Sequence, residues 1–157
     1  MSVKFWESFK VFKIDVVIYQ MTNQDILPFP DLGFEIQSEV ISKGRRKYFI
    51  IDNSVSVHNS VLFDKVFLLK LIGKKGSTIG DCYTHPNYRG QSIYPFVIHS
   101  IAKEVLLDAK KTAVFMIVNQ DNLSSIKGIE KAGFRKDASI NAKRWLWFYF
   151  DKNIILY

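Results

Sequence analysis

Tyr83-Thr84-His85-Pro86-Asn87-Tyr88-Arg89-Gly90-Gln91-Ser92-Ile93-Tyr94 is the stretch whose reading decides the fold of this chain. Upstream of it, Ser77 to Thr84 reads as a strand. Downstream, apolar residues at Ile93, Phe96, Val97, Ile101 and Val105 recur at the spacing of one buried helical face, which predicts a helix from about Tyr94 to Leu107. Pro95 falls in the first turn, where a missing N–H costs little. An arginine, a glycine and small polar residues therefore occupy a strand-to-helix junction. Unpaired backbone N–H groups and the helix dipole both favour an anion at such a place. The junction predicts a phosphorylated ligand.

Working outward, Lys13 to Met21 is β-branched and aromatic enough for a strand. Pro28 and Pro30 interrupt residues 22 to 46, and Phe34 to Ile41 fits a short helix or a strand equally. Tyr48 to Asp52 reads as a strand, with a polar turn at Asp52-Asn53-Ser54. Val55 to Phe63 alternates, placing Val55, Val57, Asn59, Val61 and Phe63 on one face and Ser56, His58, Ser60 and Leu62 on the other. Val66 to Ile72 is apolar and ends in the turn Gly73-Lys74-Lys75-Gly76. Thr112 to Val118 is a nearly continuous apolar run, as expected of a strand buried on both faces. Asp121 or Asn122 can cap a following helix and Gly133 can end it in a left-handed conformation. Arg144 to Phe150 reads as a final aromatic strand. Strands first, then strand, helix, strand, helix, strand, describe one mixed α/β domain of α+β-like layout over residues 1–157.

The composition narrows the partners. A length of 157 residues is enough for one real core, and 48% hydrophobic with 24% charged residues is an ordinary globular balance. No apolar run is long enough to span a bilayer, and Met1 to Glu7 lacks a leader's layout, so no membrane is expected. The lone cysteine, Cys82, excludes an internal disulfide and suits a reducing cytoplasm. The net charge of +7 fits nucleic acid or an anionic small ligand. The basic clusters Lys43-Gly44-Arg45-Arg46-Lys47, Lys74-Lys75, Lys110-Lys111, Arg135-Lys136 and Lys143-Arg144 are short and not interleaved with stacking aromatics. They favour the small ligand over nucleic acid, with most of them a solvated face.

With these residues in place, the chain resembles the GNAT superfamily of acyl-CoA-dependent N-acetyltransferases. The family's phosphate-loop signature is Arg or Gln, two free positions, Gly, one free position, then Gly or Ala. Here that stretch reads Arg89-Gly90-Gln91-Ser92-Ile93-Tyr94, preceded by His85-Pro86-Asn87-Tyr88. A second segment, Val118-Asn119-Gln120-Asp121-Asn122-Leu123-Ser124-Ser125-Ile126 with Glu130-Lys131-Ala132-Gly133-Phe134, follows in the expected order and spacing. About a third of the chain is covered closely. The resemblance implies a central, mostly antiparallel sheet with a parallel splayed strand pair and flanking helices. It also implies acetyl-CoA as cosubstrate, no metal, and acetyl transfer to a primary amine of a small molecule. On this reading Arg89, Gly90, Gln91, Ser92, Ile93 and Tyr94 hold the pyrophosphate, while Tyr83 and Thr84 offer backbone to the pantetheine arm. Asn122 and Ser125 lie near the cofactor, Asn122 being equally readable as a helix cap.

Three departures from the family pattern bear on catalysis. Ser92 stands at the family's glycine, and Tyr94 at its small sixth residue. Ile129 occupies a position where many members carry a tyrosine that protonates the departing thiolate. Amine acylation also needs a route for the amine proton, although orientation of the substrates supplies much of the rate. Candidates are Asp81, on one strand face with Tyr83, His58, readable also as a structural histidine, and Asn119, which could bind the arm or a water. His85 reads as part of the turn, and Cys82 as a small buried residue pointing opposite to Asp81 and Tyr83. His58-Asn59-Ser60 with Leu62-Phe63 loosely resembles small members linked to surface-sugar biosynthesis, which suggests an amino-sugar acceptor. Trp145, Trp147 and Tyr149 fit a core or homodimer interface better than a sugar platform. Because Ile129 cannot donate a proton, a non-catalytic acyl-CoA-binding or sensor module is the alternative reading.

Overall fold

Eight strands form one sheet in the computed structural model, which describes residues 10–157. They are β1 (Val11–Met21), β2 (Gln37–Ser42), β3 (Arg45–Asp52), β4 (Val55–Phe63), β5 (Ser77–Thr84), β6 (Val114–Asn119), β7 (Arg135–Trp145) and β8 (Phe148–Leu156), in the spatial order β2-β3-β4-β5-β6-β1-β7-β8. Two helices interrupt them, α1 (Ile93–Leu106) and α2 (Leu123–Lys131). Every strand pairing is antiparallel except β5 with β6. The expected mostly antiparallel sheet with one parallel pair is thus present. Met1 to Glu7, read above for a leader, lie outside the described residues.

Alternation explains where each strand sits. In β1, Val17 and Tyr19 pack on the helix side of the sheet and Val16 and Ile18 on the other, so the strand is buried on both faces. β6 behaves likewise, with Val114, Met116 and Val118 on one side and Phe115 on the other. The helix-side core receives Val97, Ile98, Ile101 and Ala102 of α1 and Ile129 of α2. The opposite face is covered by a short 3-10 segment, Phe67–Ile72, which inserts Leu69 at 1% exposure. Two tyrosines tie the helices to the sheet. Tyr48 donates to Glu104 of α1 (3.0 Å) and Tyr19 to Glu130 of α2 (2.9 Å).

Most expected elements appear within a residue or two, and Phe34 to Ile41 resolves as the edge strand β2. The turn at Asn53-Ser54 is a hairpin with both residues at positive φ (46° and 65°), the twist that suits a two-residue connection. Two readings are corrected. Arg144 to Phe150 is not one strand, because Leu146 (φ 52°) and Trp147 turn the chain back and pair β7 with β8. In β4 a register shift opposite Ile50/Ile51 breaks strict alternation. Val57 and His58 are consequently both fully buried, whereas Ser56 is exposed.

Candidate functional site

β5 and β6 pair only from Ser77 to Ile79 against Val114 to Met116. Beyond Ile79, β5 continues against β4 alone, so the backbone edge of Gly80 to Thr84 faces an opening between the two parallel strands. Asp81 takes φ 48° at a register shift between Asn59 and Val61, and this bulge helps bend β5 away from β6. Ligands in sheets with parallel strands bind at such carboxyl-end openings. The amide of His85 donates to Val57 O (2.9 Å), holding the turn after β5 against β4.

α1 begins at this opening. Its N-cap, Ser92, sits in the left-handed region (φ 62°, ψ 14°) that a glycine would occupy without strain, and its side chain does not cap the first turn. Instead Ser92 Oγ accepts from Lys131 Nζ of α2 (2.7 Å). Phe96 N–H returns to Ser92 O and Pro95 has no N–H, which leaves the amides of Ile93 and Tyr94 as the free donors of the first turn. Arg89 Nε donates to Thr84 O (3.0 Å), with its guanidinium over the Tyr83 ring at 5.9 Å. Gly90 has φ 77° with open space where a side chain would lie, so nothing crowds the loop at that point.

These groups enclose a cavity of about 580 Å³. From β5 come Cys82, Tyr83 and Thr84; from the loop and α1 come Tyr88, Arg89, Gly90, Ser92, Ile93, Tyr94 and Pro95. The start of α2 and its exposed face supply Asn122, Ser124, Ser125, Lys127, Gly128 and Lys131. Three cations and two helix N-termini thus border one groove, an arrangement that favours a polyanion. Asn122 caps α2, accepting from Ser125 N–H (3.2 Å), and lines the groove as well.

Tyr94 forms the inner wall. A β-carbon built on Gly128 would lie 2.5 Å from Tyr94 Cδ1, so the missing side chain at 128 is what admits the ring. Burial, and then Cys82 nearby, raise the Tyr94 phenol above its usual range, while a hydrogen bond with Ser125 acts in the other direction. Behind Tyr94, with ring centroids 6.1 Å apart, lies His58, which is fully buried. His58 Nδ1 contacts Thr84 Oγ1 and Nε2 contacts Ser60 Oγ, both at 2.8 Å, and Ser60 donates to Cys82 Sγ (3.1 Å). One neutral tautomer satisfies the whole chain: Thr84 donates to Nδ1, Nε2–H donates to Ser60, and Ser60 donates to sulfur. Burial lowers the His58 pKa to about 4 and pushes the Cys82 thiol up to about 12, so both are uncharged near neutral pH.

The structure therefore gathers Tyr83, Thr84, Arg89, Gly90, Ser92, Ile93, Tyr94, Asn122 and Ser125 around one groove. Four other candidates do not line it. Gln91 is exposed and donates to Asn87 O (3.2 Å). Asp81 is exposed at its bulge and does not line the groove. Asn119 ends β6 opposite Val16 and is exposed, and His58 lies sealed behind Tyr94. Among the groove residues that the sequence does not single out are Lys127 and Lys131, one helical turn apart with Ser124 on the same face. Their i, i+3, i+7 spacing on a capped helix was the available signal.

No protein-family model matches the chain, and no curated protein is similar to it in sequence. Among solved structures, it is similar to a Novosphingobium aromaticivorans protein assigned to the GNAT acetyltransferases, with a TM-score of 0.55 and 15% identity. The match covers 85% of this chain and 66% of the other, so the chain spans just under two thirds of that protein's length. Taken with the short parallel pair that splays beyond Ile79 and the two helices on one face of the sheet, this likeness shows a GNAT-like fold.

Proposed function

We propose that this chain transfers an acetyl group from acetyl-CoA to the primary amine of a small molecule, with an amino sugar as the first acceptor class to test. The observation that carries the reading is the groove at the open end of the β5–β6 pair. It combines the free amides of Ile93 and Tyr94 with Arg89, Lys127 and Lys131, a donor set suited to a pyrophosphate. The unpaired edge of Gly80 to Thr84 suits the amides of an extended pantetheine arm. Acetyl-CoA supplies a thioester whose thiolate leaves as the amine attacks.

The chain's own part is to orient the substrates and aid the leaving sulfur. Ile129, at 1% exposure, is a core residue and contributes no proton. The Tyr94 phenol lines the groove from α1, and burial keeps it protonated, so it serves as the hydrogen-bond donor to the departing sulfur. Asp81, His58 and Asn119 lie off the groove, and the amine proton passes to water.

A second reading, an acyl-CoA-binding sensor, is favoured by the loss of the family's tyrosine at Ile129. Isothermal titration with acetyl-CoA, joined to a thiol-release screen over amino sugars and other small amines, separates the two. The catalytic reading expects saturable binding and amine-dependent thiol release. It also expects Tyr94→Phe to bind within about threefold while releasing thiol at least about tenfold more slowly. Binding without release for any amine favours the sensor. No binding removes both.

A further inference from the structure

A second cavity, of about 620 Å³, lies at the opposite end of the parallel pair. Its wall includes Gly76, just before β5, and Thr112 and Ala113, just before β6. From Gly76 in its wall to Cys82 in the wall of the first groove is roughly 20 Å at the usual rise per strand residue. Six lysines border it: Lys65, Lys70, Lys74, Lys75, Lys110 and Lys111. Lys74-Lys75 and Lys110-Lys111 are separate in sequence and read there as solvated surface. Folding brings both around one concavity.

The charge is poorly compensated. Lys74 is committed to Asp137 and donates to Gln20 (3.2 Å). Of the other five lysines, none has an ion-pair partner among the described residues, and the wall holds one carboxylate, Asp64. Gathering five like charges opposes folding, and a bound anion offsets that repulsion. Val66, Phe67 and Leu69 add apolar surface to the lining.

We propose that this basin binds a small anion carrying several phosphate groups, at a site separate from the acyl-CoA groove. Lysine ammonium groups act as point charges that match clustered phosphate oxygens from several directions. The volume of the basin suits a compact ligand. Single-stranded nucleic acid is disfavoured because it needs free aromatic faces, and the one aromatic in the wall, Phe67, is already stacked on Tyr149 (5.5 Å between centroids) and covered by Lys70 (5.4 Å). The proposal does not depend on the acyl-transfer reading.

Inorganic tripolyphosphate is the probe, titrated in about 0.15 M salt so that unspecific charge effects are screened. Three forms of the full chain are compared: the natural protein, Lys75→Gln/Lys110→Gln, and Arg89→Gln/Lys127→Gln, which loses the same charge in the other groove. Lys75 and Lys110 are exposed, so their removal spares the core. The expected result is a saturable site that weakens at least about tenfold in the first variant and stays within about twofold in the second, while any tripolyphosphate held in the acyl-CoA groove is lost only in the second. Loss of the same site in both variants, no site lost in the first, or no saturable binding by the natural protein would each overturn the proposal. So would a single-stranded RNA oligonucleotide that binds through Lys75 and Lys110 where tripolyphosphate does not.

Discussion

At the scale of the residue, His58 shows how a side chain with the right intrinsic chemistry can be withdrawn from it. Its ordinary pKa would suit proton transfer, but complete burial among Thr84, Ser60 and the Tyr94 ring leaves it neutral, with a pKa of about 4. Its role is then to fix the Thr84 side chain at the end of β5. Stability should depend on pH accordingly. Between its unfolded pKa of 6.5 and about 4, the unfolded chain binds a proton that the folded chain refuses, so stability is full above pH 6.5 and falls as the pH drops to 4. The loss attributable to this group approaches about 3 kcal/mol at the acid end. Urea unfolding at pH 7.5 and 4.5 should show a smaller pH difference in His58→Gln than in the natural protein; identical slopes would reject this account.

At the scale of the element, α1 and α2 meet where Tyr94 lies across Gly128. Alanine at 128 would gain about 1 kcal/mol of helix propensity, yet its β-carbon would meet ring atoms that cannot bend aside, a crowding cost of about 1–3 kcal/mol. Gly128→Ala should therefore destabilise the natural protein by about 1 kcal/mol and stabilise a Tyr94→Ala background. A double-mutant cycle read by denaturant unfolding checks that reversal of sign, and additivity would refute the packing. Both helices were legible because their apolar spacing and caps are local, as with Asn122 at the start of α2 and Gly133 (φ 98°) at its end. The β7–β8 hairpin was not, because Leu146 and Trp147 carry no turn chemistry. The aromatic run conceals a turn whose positive φ at Leu146 is sustained by the pairing of the strands on either side.

At the scale of the whole molecule, the sheet grades from a doubly buried centre to a solvated edge. β1 lies between β6 and β7 with Val16 to Tyr19 buried, whereas β2 is exposed at every residue and pairs with β3 alone. Local opening should follow that gradient. Amide hydrogen exchange at Val17 and Ile18 should be at least about a thousandfold slower than at Glu39 and Val40, since β2 can open without disturbing either core. Comparable rates would mean that β2 opens only with the global fold. The two basic concavities sit at opposite ends of the β5–β6 pair, which distributes part of the +7 charge between two sites.

The sequence by itself determined the order of the elements, the strand-to-helix junction at Arg89 to Tyr94 and the resemblance that it carries. Those properties rest on periodicity, capping and a short contiguous motif, all of which operate within a few residues. Only the tertiary structure decided that Lys127 and Lys131 join Arg89 at the groove, that Asp81, His58 and Asn119 stand off it, and that Tyr94 walls its inner end. It also decided that lysines from three separate segments share a second basin. These placements arise from strand pairing and helix packing between distant segments, as do the bulges at Val57 and Asp81 and the point where β5 parts from β6, rather than from local pattern.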